Sequence, residues 1–177
     1  STGNVFIGMG FGGNATFNGA SSTTFTLAGF GSNDMVLIKY TNTLSVVLYK
    51  QIGGTGNDFV SRVATYGGYA FDLTIDGQQN IVCGGHFEGN CNFQPTILTA
   101  FSTNGDGFFA KYDNVTGNLI FVKQLRATAN LYSDPTGVKV DALNNIYVTG
   151  LFRWQMDCDP SASNALLNTS ASGITGL

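Results

Sequence analysis

An all-β fold is what this sequence predicts, from its composition, its turn chemistry and a set of short similar segments spaced along it. The 177 residues include 24 Gly, 14 Phe and 7 Tyr, and only 11% are charged. Aromatic and β-branched side chains suit a pleated surface, while Gly, Asn and Ser suit the turns between strands. Three segments align without gaps over eight residues: Asn4 to Phe11 (NVFIGMGF), Asn80 to Phe87 (NIVCGGHF) and Asn145 to Phe152 (NIYVTGLF). Each starts on Asn after a turn, passes through strand-prone residues and ends on Phe. An internal repeat of this kind outranks local propensity as a guide to architecture.

The remaining elements follow in chain order. Six residues after each terminal Phe stand Phe17, Phe93 and Cys158, which predicts a short hairpin turning at Gly12-Gly13, Glu88-Gly89 and Arg153-Trp154. A second shared strand runs from Asn33-Asp34 to Lys39-Tyr40 and from Gly105-Asp106 to Lys111-Tyr112. A third ends in Lys50-Gln51 and in Lys123-Gln124, after reversals at Thr41-Asn42-Thr43 and at Asp113 to Asn118. Approach strands Phe71 to Asp76 and Thr136 to Asp141 lead through short polar links to Asn80 and Asn145.

Four consecutive antiparallel strands per unit predict tandem four-stranded antiparallel sheets arranged as β-propeller-like blades. The spacing is 76 residues from Asn4 to Asn80 and 65 from Asn80 to Asn145. A closed ring takes about four blades or more, so the expectation is an incomplete ring or a fragment of a larger repeat protein. Its units are a partial one over 1–66, a second over 67–130, and a partial third with a C-terminal tail over 131–177. The start at Ser1, with no charged-then-apolar leader, fits a removed signal or a piece of something longer.

The blocks Gly3 to Gly8, Asp34 to Tyr40, Lys50 to Asp58 (KQIGGTGND) and Asn145 to Gly150 together resemble the bacterial β-propeller repeats called SBBP repeats. The resemblance covers about residues 1 to 160. It implies a large exported or surface-attached parent and no particular activity. The chain departs from the pattern in its truncated third unit, and after Lys123-Gln124, where Leu125 to Asn130 replaces the Gly-Gly-Thr-Gly-Asn-Asp motif.

A net charge of −3, with 8 basic residues thinly spread, excludes the basic stripe that a phosphate backbone requires. No apolar stretch approaches the roughly 20 residues of a membrane-spanning helix. With one histidine, His86, and no Gly-x-Ser-x-Gly, the chain lacks a legible nucleophile, base and orienting group, so an enzyme is not expected. His86 alone makes a weak metal ligand, with Cys83 and Cys91 as its nearest conceivable partners. Those two cysteines flank a turn and are disulfide candidates. Cys158 occupies an apolar slot and reads as a free or an intermolecular thiol. Calcium is the one cofactor considered, with weak candidates in Asp157, Asp159, Asp113 and Asn118, all in turns where Asp and Asn are expected anyway. Asp34 and Asp106 open equivalent strands and are expected to organise turns. The recurrent lysines of Lys39-Tyr40, Lys111-Tyr112, Lys50-Gln51 and Lys123-Gln124 are expected to face solvent or protect an edge. Sequons at Asn14, Asn114 and Asn168 mark glycosylation candidates.

The functional expectation is a noncatalytic extracellular or cell-surface structural repeat module that self-assembles or packs on neighbouring repeats. The alternative is a carbohydrate-binding or adhesive module contacting a glycan or surface protein, and a polysaccharide hydrolase comes third. Trp154 separates the first two: buried it favours a scaffold, exposed beside Asp157 and Asp159 it favours recognition.

Overall fold

The computed structural model describes residues 3–20, 24–58, 72–128, 131–159, 161, 165–169 and 174–176. The strands begin with β1 (Val5–Phe11), β2 (Ala15–Asn18), β3 (Thr24–Leu27), β4 (Asp34–Tyr40) and β5 (Val46–Gly54). They continue with β6 (Asp72–Ile75), β7 (Ile81–Phe87), β8 (Asn90–Asn92), β9 (Ile97–Thr99), β10 (Asp106–Tyr112) and β11 (Leu119–Ala127). The last are β12 (Ser133–Val140), β13 (Ile146–Arg153), β14 (Gln155–Asp157), β15 (Leu166–Asn168) and β16 (Ile174–Gly176). Hydrogen bonds join them into four sheets, ordered β1-β4-β5-β8-β9, β15-β14-β11-β10-β7-β6, β12-β13-β16 and β2-β3. Each pairing between named strands is antiparallel.

Burial explains the strand sequences. β4 (DMVLIKY) and β7 (IVCGGHF) are buried at every position, so they carry no polar alternation; each is covered on both faces. Along β7 the side chains alternate between two layers. Cys83 and Phe87, with Phe108 and Tyr112 of β10, meet Met35, Leu37 and Ile52 of the first sheet in one core. The opposite face carries Gly84 and Gly107, which let β12 approach closely. A Cβ at Gly84 would stand 2.8 Å from Val138 Cγ1, and one at Gly107 would stand 2.5 Å from Pro135 Cδ. On the outer face of the first sheet, the β2-β3 hairpin lays Phe17, Phe25 and Leu27 over Val36, Ile38 and Tyr40.

This arrangement overturns the propeller expectation and the resemblance to SBBP repeats. The sheets hold five, six, three and two strands, and none is closed or curled into a blade, so no repeating four-stranded architecture is present. The cause lies at the three expected hairpins. Gly13, Gly89 and Trp154 do adopt the left-handed conformation of a tight reversal, at φ 63°, 63° and 68°. The strands on either side of each turn nevertheless do not pair. β2 pairs with β3, β8 with β5 and β9, and β14 with β11 and β15. The chain therefore leaves one sheet at each turn and enters another, interleaving the units expected to be autonomous. The unit boundaries near 66 and 130 lie at or beside residues outside those described, as does Phe71 of the first approach strand. A self-assembling repeat module loses its basis with the repeat.

Candidate functional site

A groove forms where the second sheet meets the edge of the first. Its floor is β11, which contributes Val122, Lys123, Gln124 and Arg126; one wall is Leu98 of β9, and the other is Asp159 and Ser161 beyond β14. β14 reaches β11 through the pairs Arg126 with Asp157 and Ala127 with Met156, and this register sets the Asp159 turn over the strand. The turn is held locally, because Asp157 Oδ1 accepts from the Asp159 and Ala165 amides and Asp159 Oδ1 accepts from the Ser161 amide. Hydrogen bonds from Ser161, with the nearby Lys123 charge, hold the Asp159 carboxyl below its ordinary range, so it is charged at neutral pH.

Gln124 belongs to the groove floor and is fixed from behind. Its Nε2 donates to Thr99 O at 3.0 Å and to Asp106 Oδ2 at 2.7 Å. Asp106, wholly buried, also accepts from Phe101 N at 2.7 Å and from Ala127 N at 2.9 Å. The glutamine that follows the recurrent lysine thus ties the start of β10 to β11 and to the loop after β9. Gln51 does the same for Asp34, donating to Ala28 O at 2.8 Å and to Asp34 Oδ2 at 3.2 Å. Asp34 and Asp106 therefore organise their turns by accepting backbone amides, from Phe30 and Phe101.

The lysines divide. Lys39 donates to both the backbone oxygen and Oδ1 of Asn114 at 2.9 Å, and Lys111 pairs with Asp76 at 2.5 Å. Both bind specific oxygens on neighbouring turns instead of guarding an edge. Lys123 lines the groove, and Arg126 beside it forms no ion pair among the described residues.

His86 lies on the opposite face of β7 from Cys83, as strand alternation requires, with its Nδ1 hydrogen-bonded to Ser133 O at 3.2 Å and 2.8 Å from Asp134 Oδ1. Cys83 and Cys91 share the core and are both free thiols, so the candidate disulfide is not formed. Cys158 is free and half-buried, its Sγ 3.0 Å from Ala165 O. Among the described residues no three His, Cys, Asp or Glu side chains converge as metal ligands. The carboxylates of Asp113, Asp157 and Asp159 instead accept amides of their own turns, and Asn118 closes the 113–118 turn through its backbone. Asn14 is exposed, Asn114 is held by Lys39, and Asn168 Oδ1 accepts from Gln155 Nε2 at 2.7 Å. Trp154 is 46% exposed, at the turn into β14.

The chain matches no protein-family model and no curated protein sequence. The SBBP resemblance accordingly has no family match behind it. Its groove is a structural feature that motif reading missed, because its walls come from residues 98, 122–124, 126, 159 and 161, which no local pattern links. Lys123 and Arg126 were visible as two of the 8 basic residues only three positions apart, a weak signal in a chain with so few charges.

Proposed function

We propose that this chain is a noncatalytic binding domain whose groove along β11 takes an anionic, hydroxyl-rich ligand, by chemical class an acidic saccharide. The observation that carries the reading is that Lys123 and Arg126 both line one groove in a chain of net charge −3. An arginine fork matches a carboxylate in two parallel hydrogen bonds, and a lysine supplies a point charge beside it. Asp159, Ser161 and Gln124 supply acceptors and donors for hydroxyls, and Leu98 and Val122 offer small apolar surfaces for a ring face. Exposed Trp154, on the turn leading to the strand paired with Arg126, supports recognition over scaffolding. A setting outside the cell belongs to the same proposal and is supported by the surface's neutral polar character.

Calorimetric titration with a uronic-acid oligosaccharide, and with the neutral oligosaccharide of equal length, tests it. The acidic ligand is expected to bind and to weaken as salt rises. Lys123→Ala and Arg126→Ala should each weaken it by roughly tenfold or more, the scale of a charge-assisted hydrogen bond. Equal binding of the neutral sugar, or unchanged binding by the double variant, would sink the reading.

A further inference from the structure

The two glutamine-braced carboxylates differ in one respect that turn formation does not explain. Asp106 uses both oxygens, with Phe101 N and Gln124 Nε2 on Oδ2 and Ala127 N on Oδ1. Asp34 has the first two donors, from Phe30 and Gln51, but Gly54, which stands three residues past Gln51 as Ala127 stands past Gln124, gives its N–H to Asp58 Oδ2 at 2.5 Å. Both carboxyls draw on that single N–H. Asp34 Oδ1 and Asp58 Oδ1 are then left buried with no donor, on two side chains that are both 0% exposed. Seven residues past Gln124 the chain has Leu131 where Asp58 stands seven past Gln51.

Two buried acceptors, on interacting carboxyls that draw on the same Gly54 N–H, are one hydrogen short. Among the described residues the groups facing them are Gln51 from β5, Cys91 from β8 and Glu88 at the turn between β7 and β8, and none of these is basic. Gly53 packs closely on one side of the pair, since a Cβ there would stand 2.0 Å from Asp34 Oδ1. We infer that Asp34 and Asp58 form a proton-binding pair that shares one proton, and that this proton fastens the β8-β9 hairpin to the end of β5. Burial is the main cause pushing the Asp58 carboxyl up to about 7, and it raises Asp34 as well, with the Asp34 charge adding to the shift at Asp58.

The fastening is direct. The Asp58 carboxyl lies against Glu88 and Cys91, Asn57 donates to Glu88 Oε2 at 3.3 Å, and Gly53 and Gly54 pair with Asn92 and Cys91. Losing the proton places two like charges beside that junction, where the described residues bring no counter-cation. Because the folded pair holds its proton up to about 7 while the unfolded carboxyls release theirs near 3.8, stability falls as pH rises between those values and levels off above them.

The test compares the full chain with Asp58→Asn and Asp58→Leu between about pH 4.5 and pH 8, a window in which the lowered carboxyls of Asp76, Asp113, Asp141 and Asp159 stay charged. Thermal unfolding of the wild type should fall by roughly 5 °C or more across it. Asp58→Asn, which supplies a permanent hydrogen toward Asp34, should stay flat. Amide exchange of β8 and β9, corrected for its intrinsic pH dependence, should accelerate at the upper end in the wild type only. A flat wild-type curve, or the same slope in Asp58→Asn, overturns the inference. So does restoration of wild-type stability at pH 8 by millimolar calcium, which would make the site a cation site. Asp58→Leu guards against a folding defect in Asp58→Asn: if it folds, its slope must vanish as well.

Discussion

Asp106→Asn isolates the contribution of a buried carboxylate that serves three donors. Asparagine can keep its oxygen where Oδ2 stands, retaining the Phe101 amide and Gln124 Nε2, both at 2.7 Å. Its amide group then occupies the Oδ1 place, 2.9 Å from the Ala127 nitrogen, so two donors confront one another in a fully buried site. The loss comprises one charge-assisted hydrogen bond, about 1.5–3 kcal/mol, and an unpaired buried N–H, about 1–3 kcal/mol. Roughly 3–5 kcal/mol is expected, a large part of the 5–15 kcal/mol typical of a domain. Urea unfolding followed by far-ultraviolet circular dichroism measures it, with the slope against denaturant checked for constancy. The matched substitution Asp34→Asn should cost less than about 1 kcal/mol near pH 5, because its new hydrogen points at Asp58 instead of at a donor. A loss below about 1 kcal/mol in Asp106→Asn would refute the assignment of its three acceptor bonds.

Two further expectations concern packing and thiol access. Gly107→Ala drives a methyl against the rigid Pro135 ring and should cost about 1–3 kcal/mol, whereas Gly84→Ala meets the movable Val138 side chain and should cost less; thermal melts of the two variants give the order. Burial pushes the Cys83 and Cys91 thiols far up, so a thiol reagent at neutral pH should modify only half-buried Cys158 in the native protein and all three in denaturant, read by intact mass.

The acid pair shows how local resemblance conceals a chemical difference. In sequence, Gly-Gly-Thr-Gly-Asn-Asp after Gln51 enters only as part of the SBBP-like pattern, with Asp58 as its last residue. Its replacement by Leu131 in the similar segment was the available signal, since exchanging an acid for an apolar residue at matched spacing is not turn chemistry. That signal acquires meaning only once folding has buried Asp58 with Asp34, with no cation near them among the described residues. The His86 and Asp134 pairing likewise joins residues 48 positions apart across two sheets, with no motif to announce it.

The sequence by itself determined the β character, the location of most strands and the residues that reverse the chain. Alternating and continuous apolar runs, Gly13 and Gly89 at left-handed turns, and Asp34 and Asp106 at the heads of their strands are all local consequences of side-chain chemistry. Only the tertiary structure decided which strands pair. A strand end such as Gly53-Gly54 offers backbone donors and acceptors that suit a sequence neighbour or a distant segment equally well. What selects β8 is the burial of Cys91 and Phe93 in the shared core, an energy that depends on where the other layers already lie. The same non-local choice turned expected blades into interleaved sheets, opened the groove between β9, β11 and the Asp159 turn, and brought Asp34 and Asp58 together.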